Sequence, residues 1–134
     1  MEAVSQGTLC IGLRSKQSAV LVALKKNPSK LACYQEKLFQ VNDRIAVGVS
    51  GLTADARVLV KFMRKKDIKH RLKYGQEMPV ESLVGKVSAK FRERTYISGR
   101  RPFGVGILVV GKDSKNKFRV YEFSPDGKVI EFFA

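Results

Sequence analysis

Little in this chain could cross-link it, anchor it in a bilayer or hold a metal. There are only two cysteines, Cys10 and Cys33. Two are too few for a disulfide framework, and their spacing is not that of metal ligands. Both are read as reduced thiols of a cytosolic or nuclear protein. No apolar run approaches the roughly 18 to 20 residues that a membrane-crossing helix needs; the longest, such as Ile107 to Val110, are strand-sized. Met1 to Gly7 hold neither a basic cluster nor an apolar stretch behind one, so no secretory signal is expected. Internal repeats and low-complexity segments are absent as well. Acids are scarce: 12 stand against 26 basic residues, a net charge of +14. An excess of that size points to nucleic acid, an acidic membrane surface or an acidic protein partner. It would also arise if the balancing acids were carried by a part of the protein outside this sequence.

What is present is enough for one packed core. Hydrophobic residues make up 44% of 134 residues, a composition that excludes a disordered chain and suits a single domain over 1–134. Thr8 to Leu13 reads as a short strand, and the polar link Arg14 to Gln17 is hairpin-sized. Ala19 to Leu24 is an unbroken apolar run inside a second strand, Ser18 to Leu24, which predicts burial on both faces. After the turn cluster Asn27-Pro28-Ser29, Glu36 to Val41 and the alternating Arg44 to Ser50 read as strands three and four. Gly51 then breaks the pattern, and Thr53 is the expected N-cap of a helix, with Asp55 in the first turn where the helix dipole favours a carboxylate. Val58, Phe62 and Met63, continued by Ile68 and Leu72, are its expected apolar positions. Beyond Gly75 and Pro79, residues Val80, Leu83, Val84, Val87 and Phe91 give the clearest amphipathic helix in the chain. Phe103 to Gly111, Phe118 to Phe123 and Lys128 to Phe133 read as three further strands, with turns at Asp113 to Asn116 and at Ser124-Pro125-Asp126-Gly127. The order β-β-β-β-α-α-β-β-β groups strands and helices in blocks, which predicts an α+β fold with mostly antiparallel sheets.

The residues with chemical potential are few. The lone His70 has no cysteine or carboxylate constellation around it and reads as a surface residue. The basic run Arg64 to Arg71 has few aromatics interleaved and no nucleic-acid motif, so a solvated helix face is the favoured reading over a nucleic-acid patch. Gly104, Gly106 and Gly111 lie on a strand at spacings that fit no dinucleotide fingerprint; close packing over that strand is the expected reason for them. Thr8 could act as a nucleophile only with its own free amine as base, and seven residues precede it. No metal site and no cofactor are expected.

Four stretches resemble one family. Gly51-Leu52-Thr53-Ala54-Asp55-Ala56-Arg57 is similar to the signature that opens the first long helix of proteasome α-type subunits, with Gly51, Leu52, Asp55, Ala56 and Arg57 as the matching positions. Arg100-Arg101-Pro102-Phe103-Gly104-Val105 resembles their Arg-Pro-aromatic-Gly loop, through Arg101, Pro102, Phe103 and Gly104. Met1 to Gly7 resembles the end of the family's N-terminal helix, and Ser124 to Gly127 its Pro-Gly turn. Leu21 to Lys25 and Phe62-Met63-Arg64 look most like the alpha type-1 subfamily.

The resemblance implies an N-terminal-nucleophile-hydrolase-like α-β-β-α sandwich, of which this sequence would hold the first half, without the N-terminal gate segment and the C-terminal part. It implies a non-catalytic subunit of the α ring of the core particle, engaged in ring assembly, substrate access and activator docking in ubiquitin-dependent protein degradation. The nucleophile of catalytic β-type subunits lines up with Thr8, their acid with Leu24 and their lysine with Lys37. The expected partners are neighbouring α subunits in a heptameric ring, β subunits and the C-terminal tails of the regulatory particle or other activators. Neither membrane nor nucleic acid is an expected partner, and the expected location is cytoplasm and nucleus. By the same resemblance Lys37 and Gly51 line a pocket that receives an activator tail's carboxylate; on chemistry alone Lys37 is an exposed strand-end lysine. A basic nucleic-acid-binding α+β domain remains the alternative reading of the charge. A threonine hydrolase uncovered by cleavage before Thr8 is a further, enzymatic one.

Overall fold

A computed structural model describes residues 9–25, 36–99 and 101–132. In chain order the elements are β1 (Cys10–Arg14), β2 (Ala19–Ala23), β3 (Leu38–Asn42), β4 (Ile45–Gly51), α1 (Thr53–Tyr74), α2 (Val80–Tyr96), β5 (Val105–Lys112), β6 (Phe118–Phe123) and β7 (Val129–Phe132). This is the order read from the sequence, and the α+β class holds. Every strand pairing is antiparallel. β1 and β2 form a two-stranded sheet, while β3 to β7 form a five-stranded sheet in sequential order, with the helical pair inserted between β4 and β5. The expected strand starting at Thr8 and the turn at Asn27 to Ser29 begin on or lie among residues outside the described ones, as do Cys33 and Arg100.

Alternation along the central strands divides the molecule into layers. Ile45, Val47 and Val49 of β4, Val105, Ile107 and Val109 of β5 and Tyr121 and Phe123 of β6 share a core with Leu59 and Met63 of α1 and Leu83, Val87 and Phe91 of α2. The opposite face packs against the small sheet: a Cβ at Gly12 of β1 would meet Leu21 at 3.1 Å and Val120 at 3.5 Å. The described residues thus supply a helix layer, a five-stranded layer and a two-stranded layer. Three of the four layers of an α-β-β-α sandwich are in place.

Three expectations change. β2 is not buried on both faces: Val20 and Val22 are 53% and 57% exposed, because the small sheet is covered on its inner side alone. Ile11 and Leu13 of β1, paired with Val22 and Val20, share that open outer face. Thr53 is not the N-cap of α1 but its first helical residue; Leu52 takes the cap position, in extended conformation and with no side-chain cap. The apolar face of α1 is also rotated from the expected one. Ala56, Leu59, Val60 and Met63 are buried, whereas Val58, Ile68 and Leu72 are exposed. The core-facing stripe was masked because its next position is an acid, Asp67. That carboxylate is 2% exposed and accepts hydrogen bonds from Asn42 Nδ2 at 2.7 Å and the Met78 N–H at 3.0 Å. It ties the end of α1 to the β3–β4 turn and to the link before α2. The α2 stripe is as predicted, with Val80, Leu83, Val87 and Phe91 buried. Gly111 fits the close-packing reading, since a Cβ there would meet Val80 of α2 at 3.1 Å. No helix of the described residues is long and apolar enough to cross a membrane.

Candidate functional site

The two motifs quoted for the family meet at one corner of the fold, where β4 passes into α1. Gly51 ends β4 opposite Val105 and has a φ of 123°, a conformation that side chains other than hydrogen rarely adopt. A Cβ there would also collide with the Gly104 carbonyl oxygen. That carbonyl instead accepts the Leu52 N–H at 2.9 Å. Asp55, in the first turn of α1, reaches back across the same corner. Its Oδ1 and Oδ2 accept Arg101 Nη2 and Nη1 at 2.8 and 2.7 Å, and Oδ2 also accepts the Gly104 N–H at 2.8 Å. The fork geometry is the strong form of an arginine–carboxylate pair.

Burial acts to raise the Asp55 pKa, but the Arg101 hydrogen bond, the Gly104 N–H and the charges of Arg101 and Arg94 outweigh it and hold the carboxyl below its ordinary value. Ala56 is fully buried beneath it. Phe103 is buried and packs at 5.3 Å against Phe91 of α2, with the Arg94 guanidinium 4.4 Å from its ring. Gly51, Leu52, Asp55, Ala56, Arg101, Phe103 and Gly104 are therefore one assembly. Pro102 adds its carbonyl, which accepts Arg101 Nη1 at 3.2 Å, and Arg57 lies exposed on the helix surface.

Lys37 precedes β3. Its carbonyl accepts the Val49 N–H at 2.9 Å, which extends the β3–β4 ladder and sets Lys37 two residues short of Gly51 on the neighbouring strand. The side chain is only 9% exposed, so it is not an exposed strand-end lysine. Burial pushes the Cys10 thiol pKa up, and the nearby Lys37 charge offsets part of that rise. The Cys10 sulfur occupies space that Gly48 leaves open by having no side chain. Sequence reasoning missed this neighbour of Lys37, and missed Arg94 beside Asp55; neither pairing has a signal in sequence spacing. A cleft of about 500 Å³ opens between the sheets beside Cys10, Gly48, Ser50 and Gly106, but neither Lys37 nor Gly51 lines it.

Of the positions that line up with a threonine-hydrolase triad, Thr8 lies outside the described residues. Leu24 is half exposed with no ionisable group, and Lys37 is buried. His70 is bound locally, its Nδ1 3.0 Å from the Gln76 carbonyl. Among the described residues no cluster of three or more His, Cys, Asp or Glu could hold a metal.

Comparison with known proteins covers the same ground as this geometry. Residues 4–134 match the family described as Proteasome subunit. "Proteasome subunit alpha type-1" of Dictyostelium discoideum is 45% identical over 132 residues, 98% of this chain and 53% of that protein. "Probable proteasome subunit alpha type-6" of Schizosaccharomyces pombe is 42% identical over 132 residues, 98% of this chain and 48% of that protein. "Proteasome subunit alpha type-1" of Drosophila melanogaster is 39% identical over 125 residues, 93% of this chain and 44% of that protein. The chain spans about half the length of these relatives.

Proposed function

Since the chain belongs to the proteasome subunit family, we propose that it serves as a non-catalytic structural subunit of the α ring of the core particle, with Lys37 and Gly51 receiving the C-terminal carboxylate of an activator tail. The observation that carries this reading is the corner at Gly51: the two family motifs, far apart in sequence, interlock there through Asp55, Arg101 and Gly104. The chemistry supports the non-catalytic part. The acid position of a triad is Leu24, which cannot hold or polarise a partner, and the threonine position is preceded by seven residues.

Lys37 suits the receptor role because it is largely buried, and a charge-assisted bond to a carboxylate in a partly buried setting is screened little. Its backbone is held against Val49, so the cation is presented from a fixed ladder and not from a loop. In this role the chain packs between neighbouring α subunits in a heptameric ring and on a β ring, and frames the opening through which substrates pass. Ubiquitin-dependent degradation in cytoplasm and nucleus is the corresponding setting.

The test is Lys37→Ala in assembled particles. Loss of the pair is expected to weaken binding of regulatory-particle tail peptides by on the order of 2 kcal/mol, about thirtyfold. Unchanged binding would remove Lys37 from the site.

The rival class, a basic nucleic-acid-binding domain, draws on the net charge of +14. Part of the basic run is engaged internally: Arg71 pairs with Asp67 and Glu77 at 3.0 and 2.7 Å, and Arg64 Nε donates to the Gln40 carbonyl at 3.0 Å. That class predicts affinity for RNA or DNA that falls steeply with salt.

A further inference from the structure

Asp55 does more at the corner than begin a helix. Gly104 is held through both of its backbone polar groups by the β4–α1 junction. Its N–H is donated to Asp55 Oδ2 at 2.8 Å, and its carbonyl accepts the Leu52 N–H at 2.9 Å. The same carbonyl is the atom that a Cβ at Gly51 would strike. The position of Gly104 therefore sets the space and backbone direction available to Gly51. Phe103 and Val105 on either side of Gly104 are buried in the core, and Val105 pairs with Gly51 across the ladder, while Arg101 and Pro102 ahead of them are exposed. The bidentate Arg101 fork closes the arrangement by fixing the orientation of the carboxylate that holds the Gly104 N–H.

From this geometry we infer that Asp55 is a positioning residue for the activator-tail pocket: acting through Arg101 and Gly104, it holds Gly51 in the conformation that lets its backbone meet the incoming carboxylate beside Lys37. The inference rests on the proposed reading of Lys37 and Gly51 as that pocket. It assigns the family's signature acid a role in ligand recognition without contact with the ligand. A negative charge placed near an anion site would by itself oppose binding. Here the Arg101 guanidinium compensates the carboxylate, so the pair contributes shape at little electrostatic cost.

A double-mutant cycle in assembled core particles separates this role from a merely structural one. The probe is a tail peptide of the regulatory particle with a free C-terminal carboxylate, and its C-terminal amide serves as the control. Asp55→Asn keeps the side-chain shape and removes the charge that holds Arg101. It is expected to weaken binding of the free-carboxylate peptide about tenfold, a loss of roughly 1.4 kcal/mol, while leaving the weak binding of the amide unchanged. Arg101→Gln, a change at an exposed side chain, is expected to give a similar loss and keeps the test open should Asp55→Asn particles fail to assemble.

In a Lys37→Ala background neither change is expected to weaken binding further, because the carboxylate no longer has its cation to be positioned against. If Lys37→Ala weakens binding but Asp55→Asn and Arg101→Gln leave it at the wild-type level, the positioning role is wrong and the pocket stands. Losses that simply add to that of Lys37→Ala overturn the positioning role too, as the mark of general destabilisation. If Lys37→Ala itself has no effect, the pocket reading fails and the inference falls with it.

Discussion

At the residue scale, Asp55 is the group whose chemistry is most fully specified. Its folded pKa lies below the ordinary value of 3.8. A carboxyl with a depressed folded pKa contributes stability above its unfolded pKa, and that contribution is lost as pH falls through the folded value. Asp55→Asn is expected to cost about 2 kcal/mol near pH 7, where Arg101 and the Gly104 N–H lose a charged acceptor. The gap between wild type and variant is expected to narrow as pH falls below about 4, and chemical denaturation of both proteins at pH 7 and at pH 3 measures it. A gap that stayed constant would show that the charge of Asp55 is not what the corner uses. Asp55 itself was legible in the sequence as a first-turn acid, and its partners were legible only as a family loop. That the two are bonded is a long-range fact, joining positions 55 and 101, which local periodicity does not encode.

At the element scale, the strands and α2 could be read from alternation and from the helical stripe, because their core faces are uniformly apolar. α1 could not be read in the same way. Its core face runs Ala56, Leu59, Val60, Met63 and then Asp67, so the acid interrupts the periodicity at the position where the helix is most tightly tied down. Exposed Val58, Ile68 and Leu72 supplied a false stripe. β2 was misread for a related reason: an unbroken apolar run records that both faces are apolar, not that both are covered. These readings make a contrast that mutation can check. Asp67→Ala leaves the Asn42 amide and the Met78 N–H without their acceptor and is expected to destabilise by about 2 to 3 kcal/mol. Val58→Ser, on the exposed side of the same helix, is expected to stay within about 0.5 kcal/mol of wild type. Urea denaturation midpoints of the two variants decide the matter, and similar midpoints would mean that the buried face of α1 has been placed wrongly.

At the scale of the whole molecule, the fold class and its order of elements followed from the sequence, and the arrangement into layers followed from which residues are buried. The smaller sheet carries its apolar residues outward as well as inward: Leu9, Ile11, Leu13, Val20, Val22 and Leu24 are all 44% or more exposed. An exposed apolar face of that composition is the kind of surface on which another layer or another chain packs, which suits a fold whose family architecture has four layers. The charge of +14 is the feature that family membership leaves least constrained, and it is where the ring-subunit reading and the nucleic-acid reading part. The most direct test is the native mass of this chain in the cells that make it, with its co-migrating proteins identified. Migration in a very large complex beside other α-type subunits and threonine-bearing β-type subunits, unchanged by high salt and nuclease, is the predicted result. Migration alone, or with nucleic acid that high salt strips away, would contradict it.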